Sequence, residues 1–181
     1  MVDRRVRRTR AALRRAIVAL VLEQGYGAIT GDDIAARADV TRATFYKHYA
    51  NKEELLADVA EGFAADVTAA FGDQPEGASR MVPLFEEARR SKDIARVILD
   101  GEGNGVALRR FAKIVEQILR DDLATGRTVQ RFGDVDEDLL VKLRAAQVLG
   151  AVSWFIDHDE ADAELTARTV HRVLEQGWGS G

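Results

Sequence analysis

"TRATFYKHYANKEEL", residues 41–55, sets Arg42, Thr44, Tyr46, Lys47, His48 and Lys52 around three large buried-type side chains, Phe45, Tyr49 and Leu55. That is too polar for a core segment and too aromatic for a solvated loop. At about 100° per residue from Thr41, Phe45 and Tyr49 point together at about 40° and 80°, whereas Ala43, Tyr46 and Lys47 fall between about 140° and 240°. The spacing predicts a short helix, capped by Thr41 and anchored inward by two aromatic rings. Outward it presents a small Ala43 that lets the backbone approach a partner, flanked by Arg42, Thr44, Tyr46 and Lys47, which can donate to bases and phosphates.

The residues on either side extend the pattern. Thr30 is a good N-cap and Asp33, three positions on, its capping-box partner, so a second short helix opens there and buries Ile34, Ala35 and Ala38. Asp39 stands where a tight turn between two helices wants a residue tolerant of left-handed backbone angles. Two short helices joined this way make a helix-turn-helix whose second helix can lie in a major groove. Upstream, Val6, Leu13, Ile17, Leu20 and Val21 recur at helical spacing from Arg4 to Gln24, and Gly25 and Gly27 supply a stop. Downstream, Asn51 caps a fourth helix. Lys52 in its first turn opposes the helix dipole slightly, which fits a phosphate at that end.

Composition bounds the alternatives. The chain has 181 residues and 46% apolar content, enough for a sizeable core, and no cysteine, hence no disulfide, thiolate metal site or cysteine nucleophile. No apolar run approaches the roughly 18–20 residues of a membrane span, so a soluble cytoplasmic protein is expected. The net charge of −4 conceals an asymmetry: residues 1–60 carry 11 Lys+Arg against 8 Asp+Glu, and residues 61–181 carry 15 against 22. Seven arginines lie within residues 1–15, facing one acid, Asp3. A basic end on an acidic protein points to a polyanion partner for that end. No nucleophile–base pair or paired carboxylate stands out, and His158 and His171 lack a second histidine at metal-ligand spacing. "GEGNG" at 101–105 lacks the strand-to-helix setting and the Lys-Ser/Thr of a phosphate loop. No enzyme activity, metal or cofactor is therefore expected.

Residues 25–59, "GYGAITGDDIAARADVTRATFYKHYANKEELLADV", resemble the DNA-binding signature of the TetR (tetracycline-repressor) family. Gly25, Tyr26, Thr30, Ile34, Ala35, Ala38, Val40, Thr44, Phe45, Tyr46, His48, Tyr49, Lys52, Glu53 and Leu55 match the residue type usual in that pattern, which spans roughly residues 10 to 60. The resemblance implies an all-α protein: an N-terminal three-helix DNA-binding unit with a helix-turn-helix, residues 1–50, and a larger helical effector-binding and dimerisation domain, residues 51–181. It implies that Thr30 touches a phosphate, that Arg42 and Ala43 sit at base edges, and that Thr44, Tyr46, His48 and Lys52 hold the DNA backbone. Thr41 and Lys47 complete this set, and Arg4, Arg5, Arg7 and Arg8 form an arm for a neighbouring minor groove or phosphates. Two residues depart from the pattern: Asp32, where some members place a basic residue, and Asp39, where glycine is commoner.

Beyond residue 60, helices are expected to about Ala70, one or two within 79–100, one over Val106–Ala124 and one over roughly Ala161–Gln176. Leu108, Phe111, Ile114, Val115, Ile118 and Leu119 are the inner positions of the third. Turns are expected around Pro75–Gly77 and "GEGNG", with a connection over "TGRTVQRFGD". The segment "LLVKLRAAQVLGAVSWFI", within a helix over Val135–Asp157, is apolar nearly all round, and such a helix is buried on more than one side. With Ala146, Gly150 and Ser153 as a row of small residues, it predicts a four-helix homodimer interface shared with the last helix, through Ala146, Leu149, Gly150, Ser153, Thr169 and Val173. The family resemblance implies a small-molecule effector pocket in the larger domain, for which Phe63, Phe85, Phe111, Gln147 and Trp154 are the candidates. The function so implied is a homodimeric transcriptional regulator, a repressor released from a palindromic operator by a small molecule. A regulator controlled by a protein partner, or a helical enzyme or carrier, are the competing readings.

Overall fold

The computed structural model describes residues 4–71, 81–99, 105–124 and 136–176. Nine α-helices and one 3-10 turn account for almost all of them, with no strand among the described residues: α1 (Arg4–Gln24), the 3-10 turn Tyr26–Ala28, α2 (Gly31–Arg37), α3 (Arg42–His48), α4 (Lys52–Phe71), α5 (Val82–Arg90), α6 (Lys92–Leu99), α7 (Gly105–Ala124), α8 (Glu137–Asp157) and α9 (Ala163–Gln176). The all-α expectation holds, and the stretch 79–100 carries two helices rather than one. The turns expected at Pro75–Gly77 and at 101–104, and the connection at 125–134, lie outside the described residues.

Local chemistry explains the first four boundaries. Gly25 closes α1 at φ 78°, a conformation costly for any residue with a Cβ. Thr30 and Asp33 form the full reciprocal capping box at α2, Asp39 takes the left-handed turn at φ 54°, and the Thr41 hydroxyl accepts the Thr44 N–H at α3. Asn51 accepts the Glu54 N–H at the start of α4. Each cap read in the sequence is thus a hydrogen bond in the structure, and the two turn residues, Gly25 and Asp39, take positive φ.

Packing then joins these helices to the rest. The fully buried side chains include Leu13 and Ile17 from α1, Ile34 from α2, Phe45 from α3 and Leu55 from α4. They belong to one continuous apolar cluster that runs on through Phe63, Phe85, Ile98, Phe111 and Phe155 to Ala167 in α9. Helix α4 packs on α1 and also on α5, α6 and α7, and α6 touches α1 directly, so the N-terminal unit is carried by the core and not merely tethered to it. In α7 only Ala107 and Phe111 are buried. Leu108, Ile114, Val115, Ile118 and Leu119, expected as inner positions, are half-buried.

Helix α8 corrects one expectation. By length and composition it could cross a membrane, although the sequence had been expected to hold no such stretch. Its inner face packs against α5, α6, α7 and α9, and Arg144, 3% exposed, donates to the Leu174 carbonyl of α9. A buried guanidinium bonded to a neighbouring helix marks a core helix.

Candidate nucleic-acid interface

Helix α3 stands on a rigid inner anchor. Phe45 is fully buried, with the Tyr46 ring edge-on at 5.1 Å and the Tyr49 ring at 6.3 Å. A Cβ on Gly31 would come within 3.1 Å of the Phe45 ring and 3.3 Å of the Tyr46 hydroxyl, so the first residue of α2 has to be small for α3 to seat. Replacing Phe45 by alanine would cost about 3–5 kcal/mol, enough to release α3.

Outside that anchor, Arg42, Ala43, Tyr46 and Lys47 are exposed, and Thr44 and His48 are half-buried beside them. The turn Thr30–Gly31 and Thr41 edge the same helix-turn-helix, whereas Arg4, Arg5, Arg7 and Arg8 belong to the first turns of α1 and are exposed there. Thr30 and Thr41 already use their hydroxyls as caps. The Arg42 guanidinium lies 5.4 Å from the centre of the Tyr46 ring and 2.6 Å from Asp32. This ion pair joins two side chains that are 69% and 51% exposed, so its net contribution to stability is small. Its consequence is for binding: Asp32 holds the guanidinium in place and repels phosphates. The variant Asp32→Asn should leave the melting temperature unchanged and raise affinity for non-specific duplex about fivefold at low salt. Fluorescence anisotropy on random-sequence DNA measures it.

Lys52 has internal partners that the sequence did not indicate. Its ammonium donates to the carbonyls of Tyr26 (2.9 Å) and Ile29 (2.8 Å) and lies 4.1 Å from the centre of the Tyr26 ring. The adjacent Glu53 accepts the Tyr26 hydroxyl at 2.6 Å. That bond holds the Glu53 carboxyl below its usual range, while burial and Glu53 push the Tyr26 hydroxyl up. Lysine at this position therefore fastens the start of α4 to the turn before α2, which accounts for it without a phosphate. Lys52→Met should lose about 1–3 kcal/mol of stability while the salt dependence of DNA binding stays the same, whereas a phosphate contact would take about 0.9 from the log–log slope.

A polar cluster behind α3 was not legible in the sequence. Asp58, on the second turn of α4, accepts from Arg10 Nη2 at 2.9 Å, from Arg14 Nε and Nη2 at 2.6 and 2.7 Å, and from the Tyr49 hydroxyl in a short bond. Arg10 Nε also donates to the Tyr49 oxygen at 3.0 Å. Burial would raise the Asp58 pKa, but the hydrogen bonds from Arg14 and Tyr49 outweigh it and hold the carboxyl below its ordinary value. The cluster ties α1, α4 and the end of α3 together. The only available signal was the pairing of arginines on α1 with one acid some 44 residues away, which spacing alone does not reveal.

This arrangement fits what comparison finds. Residues 13–59 match the family model for bacterial regulatory proteins of the tetR family, the same span that carries the two capped helices and their aromatic anchor. Residues 13–59 are a TetR-family DNA-binding region. It is similar to the HTH-type transcriptional regulator TcmR of Streptomyces glaucescens, with 29% identity covering 93% of this chain and 81% of that protein. It is 48% identical over 67 residues to an uncharacterized HTH-type regulator, YxbF, of Bacillus subtilis, a match spanning 36% of this chain but only 18% of that protein. The fold of the chain resembles the solved FadR of Bacillus subtilis in complex with stearoyl-CoA, with a TM-score of 0.67, 18% identity, and 93% and 99% of the two chains covered. The protein is a DNA-binding transcriptional regulator and not an enzyme.

The remaining sequence candidates divide. Phe63 and Phe111 pack on each other at 5.3 Å, and Phe85 packs on Phe155 at 5.1 Å, all four buried. Gln147 is half-buried. Trp154 is 50% exposed and stacks on His158, so it stands on the outer surface of α8 and not in a pocket with the phenylalanines. Ala146, Gly150 and Thr169 are exposed and Ser153 half-exposed, while Leu149 and Val173 are half-buried, Leu149 against the core. The leucines beside them, Leu139, Leu143 and Leu165, are more than half exposed and were missed.

Proposed function

We propose that this TetR-family regulator is a homodimeric repressor that reads a palindromic operator with α3 and is released by a small molecule bound in residues 51–181, with residues 1–50 as the DNA-reading domain. Repression in the cytoplasm follows from that reading. The observation that carries it is the outward set Arg42, Ala43, Thr44, Tyr46 and Lys47 on a helix whose inner side is fixed by the buried Phe45. Such a helix can enter a major groove without moving its anchor, and a basic donor beside a small residue suits close approach to base edges. Thr30, Thr41, His48 and the arginines at 4, 5, 7 and 8 serve the sugar–phosphate backbone.

The dimer is supported by α8. From Leu139 at 0°, Leu143, Ala146, Gly150, Ser153 and Trp154 fall within about 60° of it on one face, and Val141, Val148, Val152 and Phe155 within about 40° of the opposite direction. The second set is buried and the first mostly exposed, with Leu165 and Thr169 of α9 exposed nearby in sequence order. An apolar face of that kind on two consecutive helices suits a four-helix contact between two copies. The effector is supported by the FadR fold relative, which holds stearoyl-CoA. In this chain an effector among α4–α8 has to separate Phe63 from Phe111 or Phe85 from Phe155, which ties its binding to helix displacement.

Selection of bound sequences from random duplexes, followed by anisotropy with Arg42→Ala and Tyr46→Phe, tests the reading. Two-fold symmetric sites, bound at least about tenfold more weakly by Arg42→Ala with folding intact, are expected; unchanged affinity in both variants would overturn it.

A further inference from the structure

Six large apolar side chains stay exposed among the described residues: Leu22, Tyr46, Leu139, Leu143, Trp154 and Leu165. Tyr46 faces DNA in the reading above, and the four on α8 and α9 face a second copy. Leu22, 45% exposed near the end of α1, belongs to neither surface. It lies in a groove of about 430 Å³ between α1 and the α5–α6 corner, lined by Arg14, Arg15, Val18, Ala19 and Leu22 on one wall and by Arg90, Ser91, Lys92, Asp93 and Ile94 on the other. That volume falls within the range of small-molecule sites.

The lining is divided by chemistry. Val18, Ala19, Leu22 and Ile94 give it an apolar floor, with Ala19 too small to fill the space between the two walls. Four cations, one carboxylate and Ser91 make the rest, in a chain whose net charge is −4. Arg14 is engaged by Asp58, Arg90 by Glu87 and Lys92 by Asp159. Each of these contacts leaves N–H donors over, since a guanidinium carries five and an ammonium three, and Arg15 is exposed at the rim. Apolar surface next to surplus N–H donors, with Arg15 unengaged at the rim, favours a molecule carrying one negative head on an apolar body.

We propose that this groove is a binding site for a small amphipathic organic anion, its head held by Arg15 and Arg90 and its apolar body laid along Leu22 and Ile94. One wall belongs to the DNA-reading half and the other to the core. A molecule bridging them favours one orientation of α1 relative to α6 and so changes DNA affinity, with DNA changing the affinity for the anion by the same factor. The coupling rests on the regulator reading; the binding does not.

Calorimetry of the full chain without DNA, using octanesulfonate as probe and octyltrimethylammonium as its cationic counterpart, tests the site. Saturable binding of one octanesulfonate per protomer is expected, with methyl resonances of Val18, Leu22 and Ile94 shifting and no binding of the cation. Arg15→Glu should weaken it at least tenfold. Leu22→Glu, at an exposed position that the fold does not depend on, should abolish it. Equal binding of both surfactants, or octanesulfonate binding indifferent to both substitutions, would overturn the site. Anisotropy then reads the coupling: octanesulfonate should change operator affinity at least threefold in the wild type and not in Leu22→Glu. Unchanged affinity despite measured occupancy overturns the coupling alone, and absence of any DNA binding overturns the regulator reading while calorimetry still decides the site.

Discussion

Replacing Asp58 by alanine should lower stability at neutral pH by about 2–4 kcal/mol, because the substitution leaves three donors, the Arg10 and Arg14 guanidiniums and the Tyr49 hydroxyl, without their shared acceptor. The arginines are 44% and 38% exposed and recover part of the loss in water, which keeps the figure below that of a wholly buried pair. In a chain of this length the melting temperature should fall by roughly 5–12 °C. The effect has a pH signature. The Asp58 carboxyl is held below its ordinary value, so its contribution is present above the unfolded-state pKa and disappears as the pH falls through the folded one. The gap between wild type and Asp58→Ala should therefore be constant near neutrality and close only in acid more extreme than the ordinary aspartate range. Glu23→Ala, which removes a half-exposed partner from Arg37, is the control and should show no measurable shift. Thermal unfolding followed by circular dichroism measures all three. An equal loss for the two variants would mean that the cluster behind α3 is no more than a surface ion pair.

The contrast between Asp58 and Thr30 shows what was legible in the sequence. Thr30, Asp33, Thr41 and Asn51 bond to backbone groups within four residues of themselves and Asp39 needs only its own left-handed angle, so all five follow from local spacing. The inward and outward sides of α3 followed in the same way, from helical period alone. Asp58 acts across 44 and 48 residues. Its partners are arginines that, taken singly, read as part of the basic end of the chain. The partners of Lys52 were hidden for the same reason: it sits at a helix start, and two of its donors go to the Tyr26 and Ile29 carbonyls, more than twenty residues away. In the larger half, α8 was read as apolar nearly all round and buried on more than one side; within the protomer one face is buried and the other exposed. The phenylalanines offered for a pocket pack on one another because residue type cannot distinguish a lining ring from a stacked one. Trp154, sharing a face with Gly150, could have been placed with the dimer candidates by the period that identified them.

Leu143→Glu should leave each protomer folded, abolish the dimer and weaken operator binding by about a hundredfold or more. The first expectation follows from exposure: Leu143 is 55% exposed in the protomer, so a charged side chain there meets water and costs the isolated fold little. The second follows from position, since Leu143 lies within about 40° of Leu139 and 60° of Ala146 on the outer face of α8, and a carboxylate facing its own copy across an apolar contact is both desolvated and repelled. The third follows from geometry: one α3 offers only a few base-reading side chains, and losing the second half-site removes half of the recognition energy. Gly150→Leu is an independent check, because a Cβ at Gly150 meets nothing within 4 Å in the protomer and so clashes only with a partner. Sedimentation velocity and anisotropy on the selected operator read both variants. A monomer that still binds the full site with wild-type affinity would sever dimerisation from recognition, and a dimer that survives both substitutions would move the interface off α8.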